Sequence, residues 1–149
     1  MNVQFEVLFD AIALVSCFGA ILMACWGYRK WDIARRERKA EFLLKLLEKF
    51  REDDSIQQVV LAIDHGKDIS KLEEGIKDRA LSYMSYVCYL KKAAVVSDEE
   101  FAFFEYEITR TLGNPDIKKY LEFIYTFAED NKCRSPFVAL NEYEKGCAR

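Results

Sequence analysis

The sequence predicts an all-α protein with a long N-terminal helix that spans a membrane and continues into a cytoplasmic helical bundle. Three observations carry this. Val7 to Tyr28 is apolar except for one charge, Asp10. Gly 6 and Pro 2 are few in 149 residues, and no segment alternates with period two long enough to make a strand. The charge is segregated along the chain. Residues 1–28 carry −2, residues 29–51 carry +5 and residues 52–149 carry −6, for the net −3. That acidic remainder argues against a wholesale nucleic-acid binder.

The 22 residues of the apolar stretch reach roughly 33 Å as a helix, enough for a hydrocarbon core of about 30 Å. Trp26, Tyr28 and Trp31 stand at one end, where amphipathic rings favour the interface. Arg29, Lys30, Arg35, Arg36, Arg38 and Lys39 follow directly. Positive residues stay cytoplasmic, so the N-terminus is expected outside a bacterial inner membrane and the rest inside. A cleaved signal peptide has its basic region before the apolar core, and here nothing basic precedes it. The expected division is a transmembrane segment over 1–30 and a cytoplasmic helical domain over 31–149.

Within the span, Asp10, Ala13, Cys17, Ala20, Ala24 and Gly27 recur at spacings of three and four, flanked by Ser16 and Gly19. Small residues on one face let transmembrane helices approach closely. Asp10, Ala13, Ser16, Cys17, Ala20, Ala24 and Gly27 are therefore the expected oligomer or pore face. Asp10 would either join a ring of carboxylates at the outer mouth or lie at the headgroups. The basic run 29–39 has three readings: topology with contact to anionic lipid, a positive lining at the mouth of an oligomer, or phosphate contact with RNA or DNA.

No helix breaker follows the span, so one helix is expected from about 5 to 52, with Ala40, Leu43, Leu44, Leu47 and Phe50 on one face. Ser55 is the expected N-cap of a helix over 56–65 that stops at Gly66. Ser70 and Glu73 match a capping box opening a helix to about Val95, with Leu72, Ile76, Ala80, Tyr83, Val87 and Leu90 inward. Ser97 and Glu100 match another, opening a helix to Leu112 on Phe101, Phe104, Ile108 and Leu112. Asn114-Pro115 starts a helix to about Asn131, with Ile117, Tyr120, Leu121, Ile124 and Phe127 inward. A short last helix covers 137–145.

No catalytic, cofactor or metal site is expected. Cys17, Cys25, Cys88, Cys133 and Cys147 form no C-x-x-C pair, and Cys88 is expected as core filler. His65, the single histidine, belongs at a helix C-terminus. The glycines are isolated, so no phosphate loop exists. Phe101, Phe103, Phe104, Tyr106, Tyr120, Phe123, Tyr125 and Phe127 crowd 27 residues. Phe103, Tyr106, Phe123 and Tyr125 fall partly off the apolar faces, a second hint of self-association.

One N-terminal span (7–28), the run RKWDIARRERK at 29–39 and the amphipathic EFLLKLLEKF at 41–50 together resemble the small membrane accessory proteins of type VI-B CRISPR systems. That resemblance implies a HEPN-like helical fold, a homo-oligomeric membrane pore and enhancement of antiviral defence by an RNA-guided RNA nuclease. HEPN ribonucleases carry an Arg a few residues before His. At the matching positions before His65 stand Val60, Val59 and Gln58, so RNA cleavage is not expected. The expected partners are membrane lipid, further copies of the chain and an RNA-guided nuclease, with no direct nucleic-acid binding. The competing expectation is a non-pore adaptor that tethers a cytoplasmic partner to the membrane.

Overall fold

The computed structural model describes the backbone of residues 3–147 and the side chains of residues 19 and 23–146. Six α-helices and one 3₁₀ turn account for its regular structure, with no strand among the described residues: α1 (Val3–Glu52), α2 (Asp54–Asp64), the turn Ile69–Lys71, α3 (Glu74–Lys92), α4 (Asp98–Gly113), α5 (Pro115–Asp130) and α6 (Val138–Cys147). The chain divides into two compact units, Met1–Lys45 and Leu46–Arg149. The first is helix α1 up to Lys45. The second holds the last turns of α1 and everything after them.

In the second unit the core forms around α3. Ala80, Leu81, Met84 and Val87 are fully buried, and Cys88 and Leu90 nearly so. Helices α2, α4 and α6 pack against α3, and α5 packs against α4. Residues 81, 84 and 88 extend the expected α3 face to a second side, because this helix is covered by neighbours on more than one side. Leu46 and Phe50 insert the end of α1 into the same core. The Phe50 ring meets Phe104 edge-on with centroids 5.5 Å apart and lies 6.0 Å from Tyr83. The Tyr83 hydroxyl donates to the Leu46 carbonyl at 2.5 Å.

Polar links join α3 to its neighbours. The Tyr120 hydroxyl on α5 donates to Asp78 at 2.7 Å. Lys92 pairs with Glu142 on α6 at 2.7 Å, and Lys91 with Asp98 on α4 at 3.3 Å. Arg110 on α4 bridges Asp64 on α2 and Glu107. Burial opposes its charge, but the hydrogen bond it donates to Asp64 and the charges of the two carboxylates outweigh that and raise its pKa.

The helix ends follow some of the local signals and override others. Ser97 and Glu100 form the expected capping box, and Asn114 caps α5 with Pro115 at its first position. Helix α2 is capped by Asp53 rather than Ser55, since the Asp53 carboxylate reaches the N–H groups of Ser55 and Ile56. Ser70 and Glu73 form no capping box. Asp68 draws the Ser70 N–H and hydroxyl into a 3₁₀ turn, and α3 starts later, at Glu74. On the α1 face Leu46 is buried while Leu44 stands exposed, and on α5 the expected core ring Phe127 is exposed.

Three helices end in a Schellman turn. After α2, Gly66 takes φ +59° and Lys67 N–H donates to Ala62 carbonyl at 2.8 Å. After α3 the same geometry falls on Ala94 (φ 54°), with Val95 N–H to Leu90 carbonyl at 3.0 Å. After α5 it falls on Lys132 (φ 51°), with Cys133 N–H to Ala128 carbonyl at 2.9 Å. A left-handed backbone costs a residue with Cβ about 1 kcal/mol that glycine does not incur. Ala94→Gly should therefore raise stability by about 0.5–1 kcal/mol, and Gly66→Ala should lower it by a similar amount. Urea midpoints at unchanged m-value check both.

Burial, with Tyr86 and Asp53 nearby, raises the Tyr83 pKa above the ordinary tyrosine value. Burial and then Glu144 push Tyr125 up to about 12. Both groups stay protonated in the folded chain when the unfolded chain ionises, at about pH 10. Their contribution is complete below that pH and is lost as pH rises above it. Denaturation followed across alkaline pH should show stability falling from about pH 10 upward, and less steeply in Tyr83→Phe. At neutral pH Tyr83→Phe should cost about 1 kcal/mol through the lost bond to Leu46.

Candidate functional site

The residues singled out by the sequence concentrate on α1. Asp10, Ala13, Ser16, Cys17 and Ala20 lie outside the residues described down to side chains. Of the small-residue stripe, Ala24 and Gly27 are described and both are exposed. A Cβ added at Gly19 or Gly27 would meet nothing within 4 Å in this chain. Among the described residues no helix is long and apolar enough to cross a membrane. Of the apolar stretch 7–28, those residues include only Gly19 and 23–28.

After the stripe comes a band of exposed rings. Met23, Trp26, Tyr28, Trp31 and Ile33 each leave more than half of their surface open. Helical spacing places cations over these rings, because residues four apart stack on one side. Lys30 Nζ lies 3.9 Å from the Trp26 ring centroid and the Arg35 guanidinium 5.5 Å from that of Trp31. Tyr28 and Trp31 are neighbours at 6.1 Å. The i,i+4 spacing of ring and cation was present in the sequence and is the signal that would have found these pairs.

Arg29, Lys30, Arg35, Arg36, Arg38 and Lys39 are all exposed. Arg36 pairs with Asp32 at 2.9 Å, and Arg38 Nε donates to the Ala34 carbonyl at 3.1 Å. At about 100° of rotation per residue, these six positions encircle the helix and leave no arc wider than about 100° free of a cation. A helix lying along a bilayer surface instead confines its cations to one side and its apolar residues to the other. An encircling sleeve attracts phosphate-bearing surfaces from any side.

Elsewhere, His65 caps the end of α2, its Nδ1 2.7 Å from the Leu61 carbonyl oxygen. Cys88 is buried in the core, while Cys25 and Cys133 are exposed. Cys17 and Cys147 fall outside the described side chains. Among the described residues no three His, Cys, Asp or Glu side chains are grouped to hold a metal. The rings Phe103 and Tyr106 on α4 and Phe123 and Phe127 on α5 stand exposed. The α4–α5 hairpin that carries them holds nine acidic and three basic residues.

Compared with protein-family models, curated proteins and solved structures, the chain matches none.

Proposed function

We propose that the chain is a single-pass membrane protein of the bacterial inner membrane. Its first helix crosses the bilayer over about 7–28, and the bundle lies on the cytoplasmic side. Copies associate through the small-residue stripe into a pore that permeabilises the membrane, as an antiviral effector or an accessory to an RNA-guided RNA nuclease. The observation that supports this placement most is the order along α1: an apolar stretch, then exposed rings, then cations on every side. Rings belong at the interface and cations beyond it on the cytoplasmic side. The stripe from Asp10 to Gly27 supports self-association. The pore and the defence role rest on the resemblance to the type VI-B accessory proteins.

A second reading, an adaptor that tethers a cytoplasmic partner without any lumen, draws on the exposed rings Phe103, Tyr106, Phe123 and Phe127. Exposed aromatic patches mark docking surfaces on many proteins.

The two readings separate cleanly. In a detergent-solubilised sample, mass photometry should give a discrete oligomer; a clean monomer excludes the pore. Ala20→Leu, which thickens the stripe, should break the oligomer and abolish dye release from vesicles. Replacing 7–28 by an unrelated single-pass helix should abolish permeabilisation if the stripe builds a pore, and should leave an adaptor working. Orientation is checked with a reporter fused to the C-terminus. The fusion should report a cytoplasmic end, and Gln at Arg29, Lys30, Arg35 and Arg36 should raise the inverted fraction.

A further inference from the structure

In the second unit, the Gly66 turn, the 3₁₀ segment and the N-terminal halves of α3 and α5 border an open cleft of about 920 Å³. Its lining includes Lys67, Ser70, Lys77, Lys119, Tyr120 and Phe123. Lys77 is the unusual member. It is only 7% exposed, and its ammonium stands 4.8 Å over the Tyr120 ring. Among the described residues it has no carboxylate partner and no hydrogen-bond acceptor. Its aliphatic stem is buried while its ammonium opens on the cleft beside the Tyr120 ring, a neighbour that attracts a cation but does not neutralise it. A lysine so placed on the wall of an open cleft is set to receive an anion.

The rest of the lining narrows the ligand. Asn114 Oδ1 already accepts from the N–H groups of Asp116 and Ile117, so the start of α5 offers little to an anion and the lysines must hold it. Lys67 and Lys119 are exposed at the same cleft and add charge. Phe123 is 61% exposed and offers a bare ring. Asp68 is engaged with the Ser70 N–H and hydroxyl, whereas Glu74 and Asp116 present carboxylates. Carboxylates repel a bare phosphate but accept hydrogen bonds from ribose hydroxyls and from amino groups on a base. The volume also far exceeds that of a phosphate ion, and the cleft is open to solvent.

We propose that this cleft binds a nucleoside phosphate, with its phosphates on Lys77, Lys67 and Lys119 and its base against Phe123.

Titration calorimetry on the full chain in detergent micelles tests it, with ATP, GTP, CTP and UTP as probes and inorganic triphosphate as the comparison. At least one nucleotide should bind saturably and more tightly than inorganic triphosphate. Lys77→Met keeps the aliphatic stem and removes the charge, and should weaken that binding about tenfold or more. Phe123→Ala should weaken the nucleotide while leaving inorganic triphosphate unchanged. Circular dichroism verifies folding of each variant. If Lys77→Met does not fold, Lys119→Gln and Phe123→Ala, both at exposed positions, take its place and should each weaken binding. Absence of binding by all four nucleotides overturns the proposal. So does unchanged affinity in folded Lys77→Met, which leaves that lysine a packing role only. Inorganic triphosphate binding as tightly as the best nucleotide overturns the assignment of the ring.

Discussion

Burial of α3 on more than one side is the constraint on which the second unit depends. Ala80, Leu81, Met84 and Val87 leave no surface to water, so α2, α4 and α6 must supply apolar cover at fixed positions. Their approach also brings polar side chains of α3 within reach of specific partners. Tyr83 finds the Leu46 carbonyl, Asp78 finds Tyr120, and Lys92 finds Glu142. Each of these bonds ties a different helix to the same axis. The end of α1 is thereby part of the core, through Phe50 between Tyr83 and Phe104.

The same packing accounts for what is left outside. A helix buried on one side can keep rings on the other, and α4 and α5 do so with Phe103, Tyr106, Phe123 and Phe127. This hairpin is acidic, and the sleeve of α1 is basic. They are separated in sequence, and each has a plain physical use. Cations beside exposed rings suit a headgroup region, and carboxylates around exposed rings keep an apolar patch soluble. Lys77 is different in kind, because its aliphatic stem is buried while its ammonium opens on a cleft.

Much of this could be read from residue order, and the gaps have identifiable causes. Helical spacing and breakers placed α1, α4, α5 and α6 within a few residues, since caps such as Ser97–Glu100 and Asn114-Pro115 act over one turn. The start of α3 was misplaced because Ser70 had two local partners, and the Asp68 carboxylate, two residues away, won over Glu73. Phe127 fits the apolar period of α5 as well as Leu121 does, and periodicity cannot tell which of two adjacent positions the neighbouring helix covers. The buried Lys77 left no sequence signal at all, because a lysine in the first turns of a helix reads as a solvated charge.

The all-helical class, the segregation of charge and the encircling placement of cations after residue 28 are properties of the sequence alone. They depend on spacing along one helix, and a helix needs no other element to define its own sides. Which side of α3 is doubly covered, which rings face outward and which lysine has its stem buried were decided by tertiary packing. Those outcomes depend on where a second helix comes to rest, and that is a contest among several apolar surfaces that no local pattern resolves.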